Sequence, residues 1–150
     1  MNKYAATFHW TVGSDWAHQP LRLFLRERAG ISRRALAAIK FEGGLILRNG
    51  KEVTVRELVM TGDVVTICFP PEKLGKGLFP QHLPLDILYE DEHLLVINKT
   101  AGMATIPSRQ HPVNTLAHAV IGYYEKKGIP TTFHPVNRLD RDTSGLLLVA

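Results

Sequence analysis

The sequence has little of what a disulfide scaffold, a cysteine-based zinc site or a membrane span requires. Cys68 is the single cysteine among 150 residues, so no intramolecular disulfide can form and a reducing, cytoplasmic setting is expected. A lone cysteine also excludes a structural zinc site built from cysteine clusters. No apolar run approaches the roughly 20 residues of a membrane helix, and the first residues lack a secretory pattern. We therefore expect no membrane association.

Negative charge is also scarce in one part of the chain. Between Leu21 and Leu58 there are nine basic and four acidic residues, which leaves a net charge of +5, against +4 for the whole chain. One compact block therefore carries all the positive excess, as expected of a nucleic-acid contact. A solvated, arginine-rich surface has the same composition, so the block alone does not decide between the two. With 45% apolar residues, a packed core is expected.

Turn-forming residues divide the chain. The stretch from 70 to 84, "PPEKLGKGLFPQHLP", contains four prolines and two glycines, which is typical of a linker. We therefore predict an N-terminal extension over 1–20, a small domain over 21–69, a linker over 70–84 and a second domain over 85–150. Both domains combine helical and strand patterns, so the fold class is predicted to be α+β.

The first domain is predicted to contain two helices followed by a hairpin. Proline at position 20 suits a helix start, and Ser32 is placed to cap a second helix that begins at Arg33 and ends near Phe41. Asn49-Gly50 is a strong hairpin signal, and "VVTICF" reads as a strand. Arg33 and Arg34 oppose the dipole of the second helix at a cost of about 0.3–1 kcal/mol each. Such a placement is understandable if both face phosphates.

Residues 21 to 67, "LRLFLRERAGISRRALAAIKFEGGLILRNGKEVTVRELVMTGDVVTI", resemble the S4 RNA-binding domain. The motif positions that match are Ser32-Arg33, Asn49-Gly50 and Gly62-Asp63. The resemblance implies binding to structured RNA through shape and phosphate contacts. The residues expected to make these contacts are Arg22, Arg26, Ser32, Arg33, Arg34, Lys40, Arg48 and Lys51.

The second domain is predicted to begin with two strands around an acidic turn in "DILYEDEHLLVIN". A helix from Thr115 to Lys127 follows, with Asn114 as its cap and Gly128 at its end. The last segment, "GLLLVA", is apolar without alternation, which is typical of a central strand buried on both faces.

The stretch "NRLDRDTSG", residues 137 to 145, stands directly before that strand. In an extended backbone Arg138, Asp140 and Asp142 would share one face, and Arg138 and Arg141 would hold the Asp140 carboxylate ionised. An ionised carboxylate beside a sugar can attack carbon or take a proton. A purely structural interpretation stays open, in which Asp142 and Thr143 cap a turn and the arginines pair the acids at the surface.

Residues 134 to 150, "HPVNRLDRDTSGLLLVA", resemble the signature of the RluA-type pseudouridine synthases. The stretch "ILYEDEHLLVINKTAGMATIPS", residues 87 to 108, is similar to the first motif of that family. The resemblance implies that Asp140 is the catalytic aspartate, that Arg138 helps to fill the gap left by a flipped uridine, and that Asn137 and Thr143 contact the substrate. Two positions depart: Asn137 stands where many members have histidine, and Thr100 where proline is usual, which would loosen the loop beside Lys99.

The implied reaction is the isomerisation of uridine to pseudouridine in RNA, with Asp140 as nucleophile or base. No cofactor and no metal are expected, the partner is structured RNA (ribosomal RNA before transfer RNA), and a monomer is expected. The resemblance implies an α+β chain, in which a small S4-type αα-β-hairpin domain is followed by the N-terminal part of a mixed-sheet pseudouridine synthase catalytic domain. Because family members continue beyond this point, we expect residues 1–150 to be a truncated, inactive piece. The alternative is a non-catalytic RNA-binding module; a glycosidase using Asp140 and Asp142 is disfavoured, since its two acids typically come from separate strands.

Overall fold

The computed structural model describes residues 3–150, which divide along the chain into two compact units, with the boundary between Pro71 and Glu72. The predicted α+β class is confirmed, and both sheets are antiparallel. Within the described residues no helix is long and apolar enough to cross a membrane. The N-terminal unit contains β1 (Ala6–Thr11), α1 (Leu21–Leu23), α2 (Arg33–Phe41), β2 (Leu45–Arg48), β3 (Lys51–Glu52) and β4 (Val64–Phe69). The C-terminal unit contains β5 (Ile87–Glu90), β6 (Leu95–Lys99), α3 (Leu116–Lys127) and β7 (Gly145–Val149).

The first strand belongs to the sheet of the N-terminal unit. The strand order is β1-β4-β2-β3, and β1 pairs with β4 along its whole length, from Ala6 opposite Phe69 to Thr11 opposite Val64. The sequence predicts an extension over 1–20, whereas the structure includes this part of it in the fold. The strand was missed because its alternating pattern is short and its apolar side chains, Phe8 and Trp10, cover only one face. Pairing with β4 satisfies the backbone N–H and C=O groups of β1. The local sequence pattern does not reveal which distant strand supplies that pairing.

Both predicted helices of the N-terminal unit are present. The first begins after Pro20 as α1 and continues as a π-helical turn, Phe24–Arg28, in which the Ala29 N–H donates to the Phe24 carbonyl over 3.1 Å. The second, α2, has the predicted bounds, and the Ser32 hydroxyl accepts the Ala35 N–H at 3.1 Å as its N-cap. Their inward side chains form the core with the sheet. The most deeply buried core residues are Val12, Leu21, Phe24, Leu25, Ile39, Val59, Val65 and Ile67.

The Asn49-Gly50 hairpin is confirmed, and the structure explains why Gly62-Asp63 accompanies it. Both turn residues have positive φ, 52° and 79°, as the tight hairpin turn requires. The Asn49 amide donates to the Asp63 carboxylate at 2.8 Å and accepts the Val64 N–H at 2.8 Å, while the Arg48 guanidinium lies 3.1 Å from the same carboxylate. Burial raises the pKa of Asp63, but hydrogen bonds from the Met60 N–H and Asn49, with the Arg48 charge, outweigh it and lower the pKa. The network therefore fastens the hairpin to the turn before β4.

In the C-terminal unit three strands in the order β5-β6-β7 pack against α3. The two strands around an acidic turn are confirmed, and the Asp91 carboxylate accepts the N–H groups of His93 and Leu94 in that turn. The cap of α3 is Thr115, one residue later than predicted. Asn114 cannot serve as cap because its own backbone is left-handed, with φ of 58°, and its N–H donates to the side chain of Gln81.

The strand "GLLLV" is β7, and its burial differs from the prediction. It pairs with β6 in antiparallel register, Gly145 opposite Lys99. Leu147 and Val149 are fully buried, whereas Leu146 is 58% exposed. The prediction of burial on both faces is therefore wrong for the described residues, because α3 covers only one face of this sheet.

Part of the predicted linker is ordered on the C-terminal unit. The Gln81 N–H donates to the His118 carbonyl on α3 at 3.1 Å, and a methyl group added at Gly122 would lie 2.1 Å from the Gln81 carbonyl oxygen. At the start of the segment the Glu72 carboxylate accepts the Thr132 N–H and lies 2.8 Å from a ring nitrogen of His134. Proline and glycine content predicts a linker, but these specific contacts fix the segment from Glu72 onward.

Candidate active site

Asp140 is an exposed side chain at the start of a tight turn that leads into β7. The Thr143 N–H donates to the Asp140 carbonyl over 3.0 Å, which closes a four-residue turn. The backbone is therefore not extended through Asp142, and the predicted shared face of Arg138, Asp140 and Asp142 does not form along a straight strand. The turn instead leaves the Asp140 carboxylate exposed to solvent, while the Asp140 carbonyl accepts a hydrogen bond within the turn.

A buried lysine stabilises this turn from the interior of the protein. Lys99, the last residue of β6, is 1% exposed. Its ammonium group donates to three backbone carbonyls, those of Thr100 at 2.9 Å, Met103 at 2.8 Å and Arg141 at 3.0 Å. All three donor positions of the ammonium are thus used. Because one of the acceptors lies next to Asp140, Lys99 connects the loop after β6 to the turn that carries the aspartate.

The charge of Lys99 acts on the same turn. Burial lowers the pKa of Lys99, and the negative charges of Asp142 and Asp140 oppose that shift without cancelling it. The salt bridges among residues 3–150 do not include Asp140. Lys99 is thus a buried cation that attracts both carboxylates, and the role of Arg138 and Arg141 in keeping Asp140 ionised stays a prediction.

Two further contacts complete the clamp on the turn. The buried Thr105 hydroxyl donates to the Leu139 carbonyl at 2.7 Å, and the Gly102 N–H donates to the Arg141 carbonyl at 2.8 Å. The carbonyls before, at and after Asp140 consequently all accept hydrogen bonds. A main chain held on both sides positions a reactive side chain more precisely than a free loop does. Sequence reasoning singled out Asp140 but not Thr105 or Gly102, which lie more than 30 positions earlier.

The other predicted substrate contacts have different environments. Arg138 and Thr143 are exposed beside Asp140 in sequence. The Asn137 amide is used on the edge of β7: its oxygen accepts the Leu148 N–H at 2.9 Å and its nitrogen reaches the Leu146 carbonyl at 3.4 Å. Asn137 thus imitates a strand backbone in this structure. The loop at Thr100, which the sequence predicts to be loosened, is fastened by the Lys99 ammonium.

The predicted RNA contacts of the N-terminal unit are mostly exposed, and Arg26 among them forms an exposed ion pair with Glu27 at 2.8 Å. Ser32 caps α2 through the Ala35 N–H, and Arg48 is occupied by Asp63 and by the Leu58 carbonyl at 3.0 Å. Both are therefore held by the fold itself. The remaining basic side chains of the predicted set are exposed: Arg22, Arg26, Arg33, Arg34, Lys40 and Lys51.

Across residues 3–150 no group of three or more histidine, cysteine, aspartate or glutamate side chains is arranged to hold a metal ion. The candidate functional groups are the exposed carboxylates of Asp140 and Asp142 on a rigid turn in one unit, and a basic surface in the other.

Residues 93–150 match the family described as RNA pseudouridylate synthase. This part of the chain, which contains the Asp140 turn, is thus similar to a family of RNA pseudouridylate synthases. The chain is 50% identical over 121 residues to the uncharacterized RNA pseudouridine synthase YjbO of Bacillus subtilis strain 168, covering 81% of this chain and 43% of the relative. It is 40% identical over 109 residues to the ribosomal large subunit pseudouridine synthase D of Xylella fastidiosa, covering 73% and 33%. The chain therefore spans less than half the length of these relatives.

Proposed function

We propose that the protein carrying this chain isomerises uridine to pseudouridine within structured RNA, with Asp140 acting at the ribose. The observation that carries the proposal is the clamped turn: the carboxylate is exposed, while the Leu139, Asp140 and Arg141 carbonyls are all held. The same turn lies within the segment that matches the family. A fixed carboxylate can meet a flipped nucleoside without first paying the entropy of ordering its own loop.

The geometry supports two roles for the aspartate. The bond between uracil N1 and ribose must break, the ring must rotate, and a new bond must form between uracil C5 and the same ribose carbon. An oriented carboxylate can attack that carbon or remove a proton from the sugar. In either role the target uridine must first leave its stack. We propose that Arg138, which is exposed and two residues before Asp140, occupies the space that the nucleotide vacates.

Ribosomal RNA of the large subunit is the substrate class we propose first, with transfer RNA second. The support comes from the relatives named ribosomal large subunit pseudouridine synthase D, among them those of Xylella fastidiosa and Yersinia pestis, each 40% identical to this chain.

The reaction is tested with tritium at uracil C5, because the new C5–ribose bond displaces that hydrogen. A chimera in which this chain replaces the aligned part of YjbO supplies the remainder of a synthase. We expect tritium release from large-subunit ribosomal RNA fragments and pseudouridine in the product by mass spectrometry. A chimera that folds and binds RNA but releases no tritium from ribosomal or transfer RNA would favour the alternative of a non-catalytic RNA-binding module.

We further propose that the N-terminal unit is an S4-like RNA-binding module. Its support is the fit of the S4-type motif positions to structural roles: Ser32 caps α2, and Asn49 and Asp63 fasten the hairpin. The exposed arginines Arg33 and Arg34 stand in the first turn of α2, where free backbone N–H groups also favour a phosphate.

Arg33→Glu combined with Arg34→Glu is expected to weaken the binding of a structured RNA by roughly 100-fold at low salt. The double change removes two phosphate contacts and adds repulsion, so the plot of log affinity against log salt should also become flatter. Filter binding at several salt concentrations measures both quantities. Glu27→Ala combined with Glu42→Ala, two exposed acids of the same unit, serves as the control and should not weaken binding. Unchanged RNA affinity in the arginine variant would show that the basic block is an ordinary solvated surface.

A further inference from the structure

The exposed face of α2 has a continuous chemical pattern. Residues 33, 34, 37, 40 and 41 are exposed, while Ile39 is buried. At 3.6 residues per turn these exposed positions lie along one side of the helix. That side has two arginines at the start, the small Ala37 in the middle, and Lys40 with Phe41 at the end. It measures about 12 Å from the first turn to the last.

Phe41 is the unexpected member of this face. Among the large hydrophobic side chains of residues 3–150 it is the most exposed, at 82%. It lines a groove between the end of α2 and the segment after β3, together with Lys40, Arg56 and Glu52. An aromatic ring held in water loses the stabilisation that burial would provide. In a surface with a local excess of cations, its flat faces match the chemistry of an unpaired nucleobase.

We propose that Phe41 stacks on an unpaired base of the bound RNA, next to phosphates held by Arg33 and Arg34. The inference rests on the proposed RNA-binding role of the N-terminal unit and adds a preference to it. Because the side chain of Ala37 is small, the middle of the face does not protrude. One RNA strand can therefore follow the helix from Arg33 and Arg34 to the ring of Phe41. Lys40 and Arg56 lie beside the ring and attract the backbone of the stacked nucleotide. A module with this face binds the junction between a stem and a single strand more tightly than a blunt stem.

The test uses the full 150-residue chain and two RNA probes, a duplex with a single-stranded tail at one end and the same duplex with both ends blunt. Phe41→Ala should weaken binding of the tailed probe about tenfold, the loss expected for one base–aromatic stack, and leave the blunt probe almost unchanged. The salt dependence should stay constant, because no charge is removed. Phe41→Trp should restore tail preference. Since Phe41 makes little contact with the core, thermal melting should show that both variants fold.

Leu58→Ala, at a large side chain of the same unit that is 49% exposed, is the matched control and should not alter either affinity. If the double arginine variant weakens binding of both probes but Phe41→Ala weakens neither, base stacking is overturned and the RNA-binding face remains. If neither variant changes affinity, the proposed RNA-binding role fails as well. Equal losses on both probes in Phe41→Ala would also overturn stacking on an unpaired base.

Discussion

Asp140→Asn is expected to reduce pseudouridine formation by the YjbO chimera by three orders of magnitude or more, the scale seen when a covalent or proton-transfer group is removed. The amide has nearly the same shape and can keep the turn, but it is a poor nucleophile and a poor base. RNA affinity should change less than twofold, because the carboxylate is negatively charged like the phosphates and makes no attractive contact with them. Initial rates of tritium release, with filter binding in parallel, measure both effects.

Asp142→Asn is the matched control, since it removes a second carboxylate from the same turn. The Asp142 charge also acts on Lys99, but Asp142 has no proposed chemical role, so activity should stay within tenfold of the parent. Equal losses in the two variants would contradict the assignment of Asp140 and revive an interpretation based on both acids. Full activity in Asp140→Asn would exclude the proposed mechanism.

Lys99→Met is expected to loosen the Asp140 turn and to lower both stability and activity. The methionine fills a similar volume but leaves the carbonyls of Thr100 and Met103 without their donor and removes one of two donors to Arg141. A buried acceptor without a partner costs about 1–3 kcal/mol, and relief of the desolvation of the buried charge offsets part of this. We expect the C-terminal unit to lose about 2–4 kcal/mol of unfolding free energy and activity to fall at least 100-fold.

Hydrogen exchange separates this effect from global unfolding. The amides of Gly102 and Thr143, which donate to Arg141 and Asp140, should lose protection in Lys99→Met before those of α3 do. Lys127→Met makes the same substitution at a surface lysine paired with Glu90 at 2.8 Å, and its effect should be much smaller because water screens an exposed ion pair. Equal protection of Gly102 and Thr143 in the parent and in Lys99→Met would show that Lys99 does not hold the turn.

Local signals predicted the elements whose start and end are encoded nearby in the chain. The Ser32 cap, the Asn49-Gly50 hairpin and the Gly128 end of α3 depend on side-chain and backbone preferences within a few residues, and each was confirmed. The cap of α3 was misplaced by one residue because Asn and Thr are both good caps. The choice of Thr115 depends on Gln81, which binds the Asn114 N–H from 33 positions away.

Elements whose partners are distant were less predictable. Strand β1 is short and gains its order from β4, more than 50 residues later. The exposure of Leu146 in β7 depends on which face α3 covers, and no local apolar pattern contains that information. The ordered part of the predicted linker likewise depends on contacts of Glu72 and Gln81 with later residues.

The sequence by itself determined the α+β class, the basic block, and the motif that singles out Asp140, because composition and short motifs are properties of neighbouring residues. Only the tertiary structure decided how that aspartate is held. Lys99, Gly102 and Thr105 donate to the carbonyls of Leu139 and Arg141 across 34 to 42 positions of sequence, and hydrogen bonds to backbone atoms leave no residue-type signal at the acceptor. The same reason explains why Lys99, which the motif presents as one more basic residue, proved to be a buried clamp beneath the candidate site.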